Sequence, residues 1–283
     1  ETAFPFVPGG EIAGTVVAHG HGVDGPPLGA KVFALAGANG SGGYAQFAVS
    51  YAQTAVPIPA GMSADIASVL LIAGSTAKLL LSRVAHLAAG ESILVPAATG
   101  GVGSYLVQLA RRRDAGRIIA AVGDPTKRAR ALELGAHEVI IYTAPDWPDQ
   151  VRAVTDGKGV DVALEASGGP TLEQTLQCLA PFGRLVVYGA ASGRSATLSS
   201  SALEQMLYAP APNQSLIGFN VGGWFLERPS AAGAALGELI EDVMTERIRV
   251  PEIRALPLDQ AQQAHQLLDG RKTSGKLVLK PWA

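Results

Sequence analysis

The sequence predicts an α/β chain in which a doubly wound parallel sheet, covered by helices, is joined to a smaller and mostly β unit. Three observations carry this expectation. Apolar runs of strand length alternate with helical stretches between residues 92 and 189. The first of these runs enters a glycine-rich turn, Ala97-Ala-Thr-Gly-Gly-Val-Gly103, that opens a helix. Residues 1–60 instead hold short β segments broken by Gly-Pro, Gly-Ser and Gly-Gly pairs.

The elements follow in order. Strands are expected over Glu11–Ala18, Lys31–Leu35 and Tyr44–Val49, each bounded by turn residues. The run Ser92–Ala98 is continuously apolar, as a parallel strand buried on both faces should be, and the helix Ser104–Arg113 leads to a second such run, Arg117–Val122. The pattern repeats with a helix over Thr126–Leu134 stopped by Gly135, a strand Glu138–Tyr142 and a helix around Asp149–Thr155. A strand Val160–Glu165, a helix Thr171–Leu179 and a strand Gly183–Gly189 come next, with a last sheet strand at Ser215–Asn220. A helix Ser230–Glu246 leads to a tail with a helix Ala261–Leu268 and a strand Lys276–Lys280 that returns to complete the first domain. The expected division is therefore residues 1–72 with 222–283 for the β-rich domain, and 73–221 for the parallel sheet.

The glycine turn explains why such a sheet would be built. Without side chains, Gly100, Gly101 and Gly103, with Val102 between them, let the main chain turn sharply and approach a pyrophosphate. Amide N–H groups and the positive end of the helix dipole would then meet its charge. A glycine turn alone also serves tight packing with no ligand, but the strand–helix–strand frame around this one is the context a dinucleotide fingerprint requires. Gly168, Gly189 and Ala190 fall at the carboxyl ends of later strands, where backbone contacts to the same ligand are expected.

The end of the second sheet strand speaks to the choice of dinucleotide. An acid about 20 residues beyond the glycines accepts the ribose 2′-OH in an NAD site, whereas NADP needs space and positive charge. Here the strand ends at Val122 and Gly123, and Lys127 and Arg128 follow. NADPH is therefore expected, with Asp124 open between an NAD-type acid and a helix N-cap before Pro125.

Composition sets the outer bounds. The chain has 283 residues, 48% of them hydrophobic, enough for a large core. A net charge of −2 gives no basic excess for nucleic acid, and the apolar runs are all interrupted by turn signals, so a membrane span is not expected. Cys178 is the single cysteine, which rules out an internal disulfide and a cysteine zinc cluster and fits a cytoplasmic setting. A buried helix position is its simplest role. His19 and His21 alternate on a glycine-rich loop with no thiolate beside them in sequence, so no metal is expected there. No secretory leader is visible at the start, Glu1-Thr-Ala-Phe.

Several motifs, in order, carry a resemblance: Val7-Pro-Gly-Gly-Glu-Ile-Ala-Gly14, Gly29-Ala-Lys-Val32, Gly43-Tyr-Ala-Gln-Phe47, the glycine turn, and Gly270-Arg-Lys-Thr-Ser-Gly-Lys-Leu-Val278. Together they resemble the zinc-independent quinone oxidoreductase branch of the medium-chain dehydrogenase/reductase superfamily. The resemblance implies a GroES-like catalytic domain, a Rossmann domain and a cleft between them for a nicotinamide dinucleotide. Members carry further strands before the Val-Pro-Gly-x-Glu segment that contribute to the substrate pocket, and these are absent from the sequence. Zinc-dependent relatives place a histidine ligand in a Gly-His-Glu triplet where this chain has Gly9-Gly10-Glu11. Gly10 has no side chain to coordinate with.

The resemblance also implies residue roles. Tyr142 and Arg271 would join Lys127 at the 2′-phosphate, and the segment Ala73-Gly-Ser-Thr76 would run beneath the nicotinamide. Thr76 then either orients the carboxamide or ribose, or caps a helix over 77–81. Phe219 and Asn220 would neighbour the nicotinamide or the pocket, and Trp224 would line the pocket or be buried at an interface. No nucleophile–base pair stands out, in keeping with hydride transfer that needs mainly orientation and exclusion of water. The implied activity is NADPH-dependent reduction of a quinone or an α,β-unsaturated carbonyl. Enoyl reduction on a thioester and a non-catalytic, crystallin-like NADPH-binding role are the alternatives, and a homodimer is the expected assembly.

Overall fold

A computed structural model of the chain describes residues 4–37, 40–209 and 212–282. By contacts the chain divides into two compact units, Glu1–Gly74 with Leu239–Ala283, and Ser75–Glu238.

In the first unit β1 (Glu11–Thr15) pairs antiparallel with β2 (Lys31–Leu35), Glu11 opposite Leu35, and β2 pairs in turn with the short β3 (Val56–Pro57). Helix α1 (Ala64–Ala67) is capped by Ser63, whose hydroxyl accepts the Ile66 amide at 3.2 Å. Helix α2 (Leu71–Leu79) starts in this unit, crosses into the second, and ends in a π-helical turn over Leu80–Val84.

The second unit holds the parallel sheet. Its elements are β4 (Ser92–Pro96), α3 (Gly101–Arg112), β5 (Arg117–Val122), α4 (Arg128–Glu133) and β6 (Glu138–Ile141). There follow α5 (Trp147–Ala153), β7 (Val160–Glu165), α6 (Thr171–Leu176), β8 (Leu179–Val187), α7 (Ser200–Tyr208), β9 (Ser215–Gly218), α8 (Val221–Glu227) and α9 (Pro229–Met244), whose residues from Leu239 on belong to the first unit. Among the described residues the sheet has six strands in the order β6-β5-β4-β7-β8-β9, all parallel. That is the doubly wound order in which the connection reverses direction beside the first strand, here between β4 and β7. The tail adds β10 (Ile253–Pro257), α10 (Ala261–Asp269) and β11 (Lys276–Lys280), with β10 and β11 paired in parallel.

The sequence explains the central strands. Ile93, Leu94, Val95, Ile118, Ile119, Val162, Ala163 and Leu164 are all buried, because helices cover both faces of a parallel sheet and leave no polar side for alternation. One face packs Leu94, Ile119, Ala163 and Leu185 against Trp147, Val151, Leu172 and Leu176. Each such aliphatic side chain contributes about 1.5–3 kcal/mol through burial. A separate cluster sets Leu79, Ala232 and Ala235 against Phe219, Val221, Trp224 and Phe225, which is why residues 222–238 group with the parallel sheet, beyond the boundary expected at 221.

Three expectations need correction. The segment Tyr44–Val49 is not a strand: positive-φ Gly40 and Gly42 precede it, and the Gly43 and Tyr44 amides bond to the Gly9 and Pro8 carbonyls at 2.9 Å instead of to a sheet. The helix expected over 171–179 stops at Leu176, and β8 begins at Leu179, ahead of its expected start at Gly183. Cys178 consequently lies in the turn between them, fully buried, its thiol pushed up to about 12 by desolvation. Thr76 is no helix cap, because α2 begins at Leu71 and Thr76 is buried in its interior.

Candidate dinucleotide-binding site

The turn after β4 is built by contacts too close for side chains. Ala97 takes φ 45°, and the Gly100 amide returns to its carbonyl at 2.8 Å. Gly100, extended, is the N-cap of α3, and the Ser104 amide and hydroxyl both donate to its carbonyl. A Cβ on Gly103 would fall onto the Ala97 carbonyl oxygen and only 2.8 Å from the Ala98 Cα. Helix and strand can approach this closely only with glycine there. The amides of Gly101, Val102 and Gly103 occupy the first turn of α3, where main-chain donors have no partner within the helix, at the carboxyl end of the strand beside the reversal point. The arrangement fits a bound pyrophosphate.

At the end of β5, Gly123 is packed beneath Tyr142, which follows β6. A Cβ on Gly123 would lie 2.8 Å from the Tyr142 hydroxyl and 3.1 Å from its Cζ. The Tyr142 amide donates to the Val122 carbonyl at 3.1 Å, which fixes that position. Asp124 caps the 3-10 turn Pro125–Lys127, and its Oδ1 accepts from the Thr126 amide at 2.8 Å and the Thr126 hydroxyl at 2.6 Å. Those two bonds, the hydroxyl's first, hold its carboxyl below the usual carboxylate range, and the Lys127 charge adds to them. Gly123, Lys127 and Tyr142 thus share one strand-end neighbourhood, with Arg128 opening α4 next to it.

The ends of β7 and β8 form a second edge of this unit. Glu165 is fully buried, and its carboxylate accepts the Ser167 amide at 2.8 Å and the Gly168 amide at 3.0 Å. Gly168 takes φ 73°, and a Cβ on it would lie 3.3 Å from the Ala190 Cα. The Ala191 and Ser192 amides donate to the Ala166 and Ser167 carbonyls, both at 2.8 Å, and a Cβ on Gly189 would lie 3.1 Å from the Ala166 carbonyl oxygen. Gly168, Gly189 and Ala190 are brought together by this pair of loops. Tyr188, just before Gly189, is half-buried, and its phenol is pushed upward in pKa, first by desolvation and then by Glu165.

Phe219 continues the β8–β9 pairing, its amide donating to the Val187 carbonyl at 2.8 Å, and its ring stacks on Trp224 with centroids 6.4 Å apart. Asn220 is the N-cap of α8, its Oδ1 accepting the Gly223 amide at 3.3 Å, so its amide oxygen already has a structural task. Arg271 belongs to the first unit, in the turn after α10, at φ 53°.

Glu165 and Ser75 were not singled out from sequence. Glu165 carried a readable signal, since an acid after the apolar run Val162-Ala-Leu164 of a buried strand must find partners there. Ser75, next to Thr76 in α2, is fully buried, and its hydroxyl has no hydrogen-bond partner among the described residues. Nothing local in the sequence marks it.

Glu11, the acid of the Gly-Gly-Glu triplet, binds the Ile72 amide at 2.9 Å and Lys276 at 2.7 Å, tying β1 to α2 and β11. A Cβ on Gly10 would lie 2.9 Å from the Gly40 carbonyl oxygen, so the main chain closes that position to a larger residue. His19 lies exposed with Nε2 2.8 Å from the Pro26 carbonyl. Among the described residues no three His, Cys, Asp or Glu side chains are grouped to hold a metal ion. Among them, too, no helix is long and apolar enough to cross a membrane.

Residues 1–60 match the alcohol dehydrogenase GroES-like domain, and residues 101–234 match the family described as zinc-binding dehydrogenase. The chain is 32% identical to the quinone oxidoreductase of Pseudomonas aeruginosa, over 96% of its own length and 81% of that protein's. It is 30% identical to the 2-haloacrylate reductase of a Burkholderia species, over 99% of its length and 82% of that protein's. Among solved structures, Escherichia coli quinone oxidoreductase complexed with NADPH superposes with a TM-score of 0.88 at 29% identity, over 99% of this chain and 84% of that one. The chain belongs to the medium-chain dehydrogenase/reductase superfamily, in its quinone oxidoreductase branch.

Proposed function

We propose that this chain is an NADPH-dependent oxidoreductase that reduces a quinone or an α,β-unsaturated carbonyl without zinc. The observation that carries the reading is the strand-end neighbourhood of Gly123, Lys127 and Tyr142. It supplies a cation and a phenol where an NAD site would present a free acid. The NADPH complex of the E. coli relative supports the same choice.

The chain's own residues bind and orient. The α3 amides and dipole take the pyrophosphate, Lys127 and Tyr142 take the 2′-phosphate, a role the family resemblance also gives Arg271, and the loops at Gly168, Gly189 and Ala190 give backbone contacts. Thr76, and Asn220 beside Phe219, orient the nicotinamide end. The bound dinucleotide supplies the hydride, so the protein needs no strong general base. With a side-chain-free Gly10 at the ligand position of zinc-dependent relatives, no Lewis acid is available to polarise an unactivated carbonyl. An acceptor already electrophilic by conjugation meets that limit, and the similarity to a 2-haloacrylate reductase supports such an acceptor. The test is NADPH oxidation followed against a panel of quinones, enones and enoyl thioesters. Turnover of quinones or enones above thioesters is expected, and no turnover of any acceptor by NADPH-binding protein would reject the activity.

A further inference from the structure

Asp124 is a carboxylate that the proposed function does not use. It stands after the second sheet strand, about 20 residues beyond the glycine turn, the offset at which an NAD site places the acid that accepts the ribose 2′-OH. A free carboxylate there would favour NADH and repel a 2′-phosphate. In this structure it is not free. Both of its described bonds fall on Oδ1, from the amide of Thr126 at 2.8 Å and from its hydroxyl at 2.6 Å. Bonds of this length to an ionised acceptor belong to the stronger class, and Lys127 follows directly to offset the charge.

We propose that Thr126 is a cofactor-specificity residue that acts through Asp124: its amide and hydroxyl clasp Oδ1 within the Pro125–Lys127 turn and so disarm an acid placed to select NADH. A residue with no hydroxyl at 126 leaves the carboxylate held by one bond and able to swing toward the ribose. NADPH is then repelled and NADH gains an acceptor for its 2′-OH. Thr126 touches neither cofactor in this scheme. Its effect exists only while Asp124 is present.

The proposal rests on the NADPH reading above, and the experiment separates the two. Dissociation constants for NADPH and for NADH are measured by titration calorimetry on the wild-type protein and on the T126V, T126S, D124A and D124A/T126V variants. T126V should lower the NADPH-to-NADH preference by about two- to fivefold, the scale of an exposed charged contact. T126S, which keeps the hydroxyl, should hold the wild-type ratio, and T126V should change nothing further in the D124A background. Wild-type preference for NADPH with an unchanged ratio in T126V would overturn this inference alone. So would a T126V effect of equal size with and without Asp124. A wild-type protein that binds NADH as tightly as NADPH, or binds neither, would overturn the cofactor reading itself.

Discussion

Tyr142 lies over Gly123 so closely that a Cβ at position 123 would come within 2.8 Å of the phenol oxygen. The two residues close neighbouring strands, β5 and β6, and glycine at 123 is what lets the tyrosine ring occupy the strand end. A G123A variant should therefore push the phenol aside. Because the clash is with the far end of a side chain, the cost should be modest, about 1 kcal/mol on denaturant unfolding, near the lower end for overpacking. The G123A/Y142F double variant, which removes the offending oxygen, should recover most of it. Equal losses in the single and double variants would show that the clash is with the main chain.

The proposed phosphate contacts carry predictions for cofactor binding. K127A and R271A should each weaken NADPH about tenfold or more, the loss of a charge-assisted contact, while leaving NADH nearly unchanged. Binding titrations with both cofactors decide it. Parallel losses for NADH would mean that these side chains support the fold and do not read the phosphate.

Gly103 differs from Gly123 in what surrounds it. Its missing Cβ would meet the Ala97 carbonyl and the Ala98 Cα, and main chain in a tight turn cannot give way as a phenol can. G103A should cost about 3 kcal/mol or more and release α3 from β4. A thermal midpoint within a degree or two of wild type would contradict this.

The parallel sheet was legible because its strands, buried on both faces, write themselves as apolar runs; β5 and β7 fall where Arg117–Val122 and Val160–Glu165 predicted. Elements without that signature escaped. Helix α7 begins inside the run Ser199-Ser-Ser-Ala202, which reads as loop until Ser199 is seen capping it, its hydroxyl accepting the Ala202 amide at 3.1 Å. The first half of β8 holds Pro181 and Gly183, both strand breakers by local rule. The candidate site divides in the same way. The Asp124 cap is a local bond between residues two apart, open to sequence reasoning, whereas Gly123 meeting Tyr142 depends on two strands lying side by side. No local pattern encodes that.

His137 gives a pH dependence with a definite sign. Its Nδ1 accepts the Ile118 amide at 2.9 Å, and Arg111 lies 2.7 Å from Nε2. Desolvation first, then Arg111 and Arg117, lower its pKa below the ordinary value of 6.5. A histidine held neutral in the folded state contributes stability that is complete above the unfolded pKa, about 6.5, and is lost as pH falls through the lower folded value. Stability should therefore decline from about pH 6.5 downward, and H137Q should flatten that limb in urea titrations. An identical acid limb in H137Q would assign the decline to other groups.

Metal analysis offers an independent check on the zinc reading. Position 10 lacks a side chain, and a Cβ there would stand 2.9 Å from the Gly40 carbonyl oxygen. Purified protein should carry no stoichiometric zinc, and a chelator should leave NADPH oxidation intact. Activity lost to the chelator and restored by zinc would place the chain elsewhere in the superfamily.

Assembly follows from the edge of the sheet. β9 bonds to β8 on one side and ends the strand order, so its other side carries main-chain donors and acceptors unmatched within the sheet. Three of its four residues are exposed, Leu216 among them at 38%. An apolar edge of this kind invites pairing, and a two-fold axis would set β9 antiparallel to its own copy, continuing the sheet and covering Leu216 in both subunits. The expected state is a homodimer joined through the parallel sheets. L216K adds a charge of the type that natural edge strands use against such pairing, and it should yield monomer by light scattering at micromolar concentration without loss of folded signal. A monomeric wild-type protein under the same conditions, or a dimer untouched by L216K, would reject β9 as the interface.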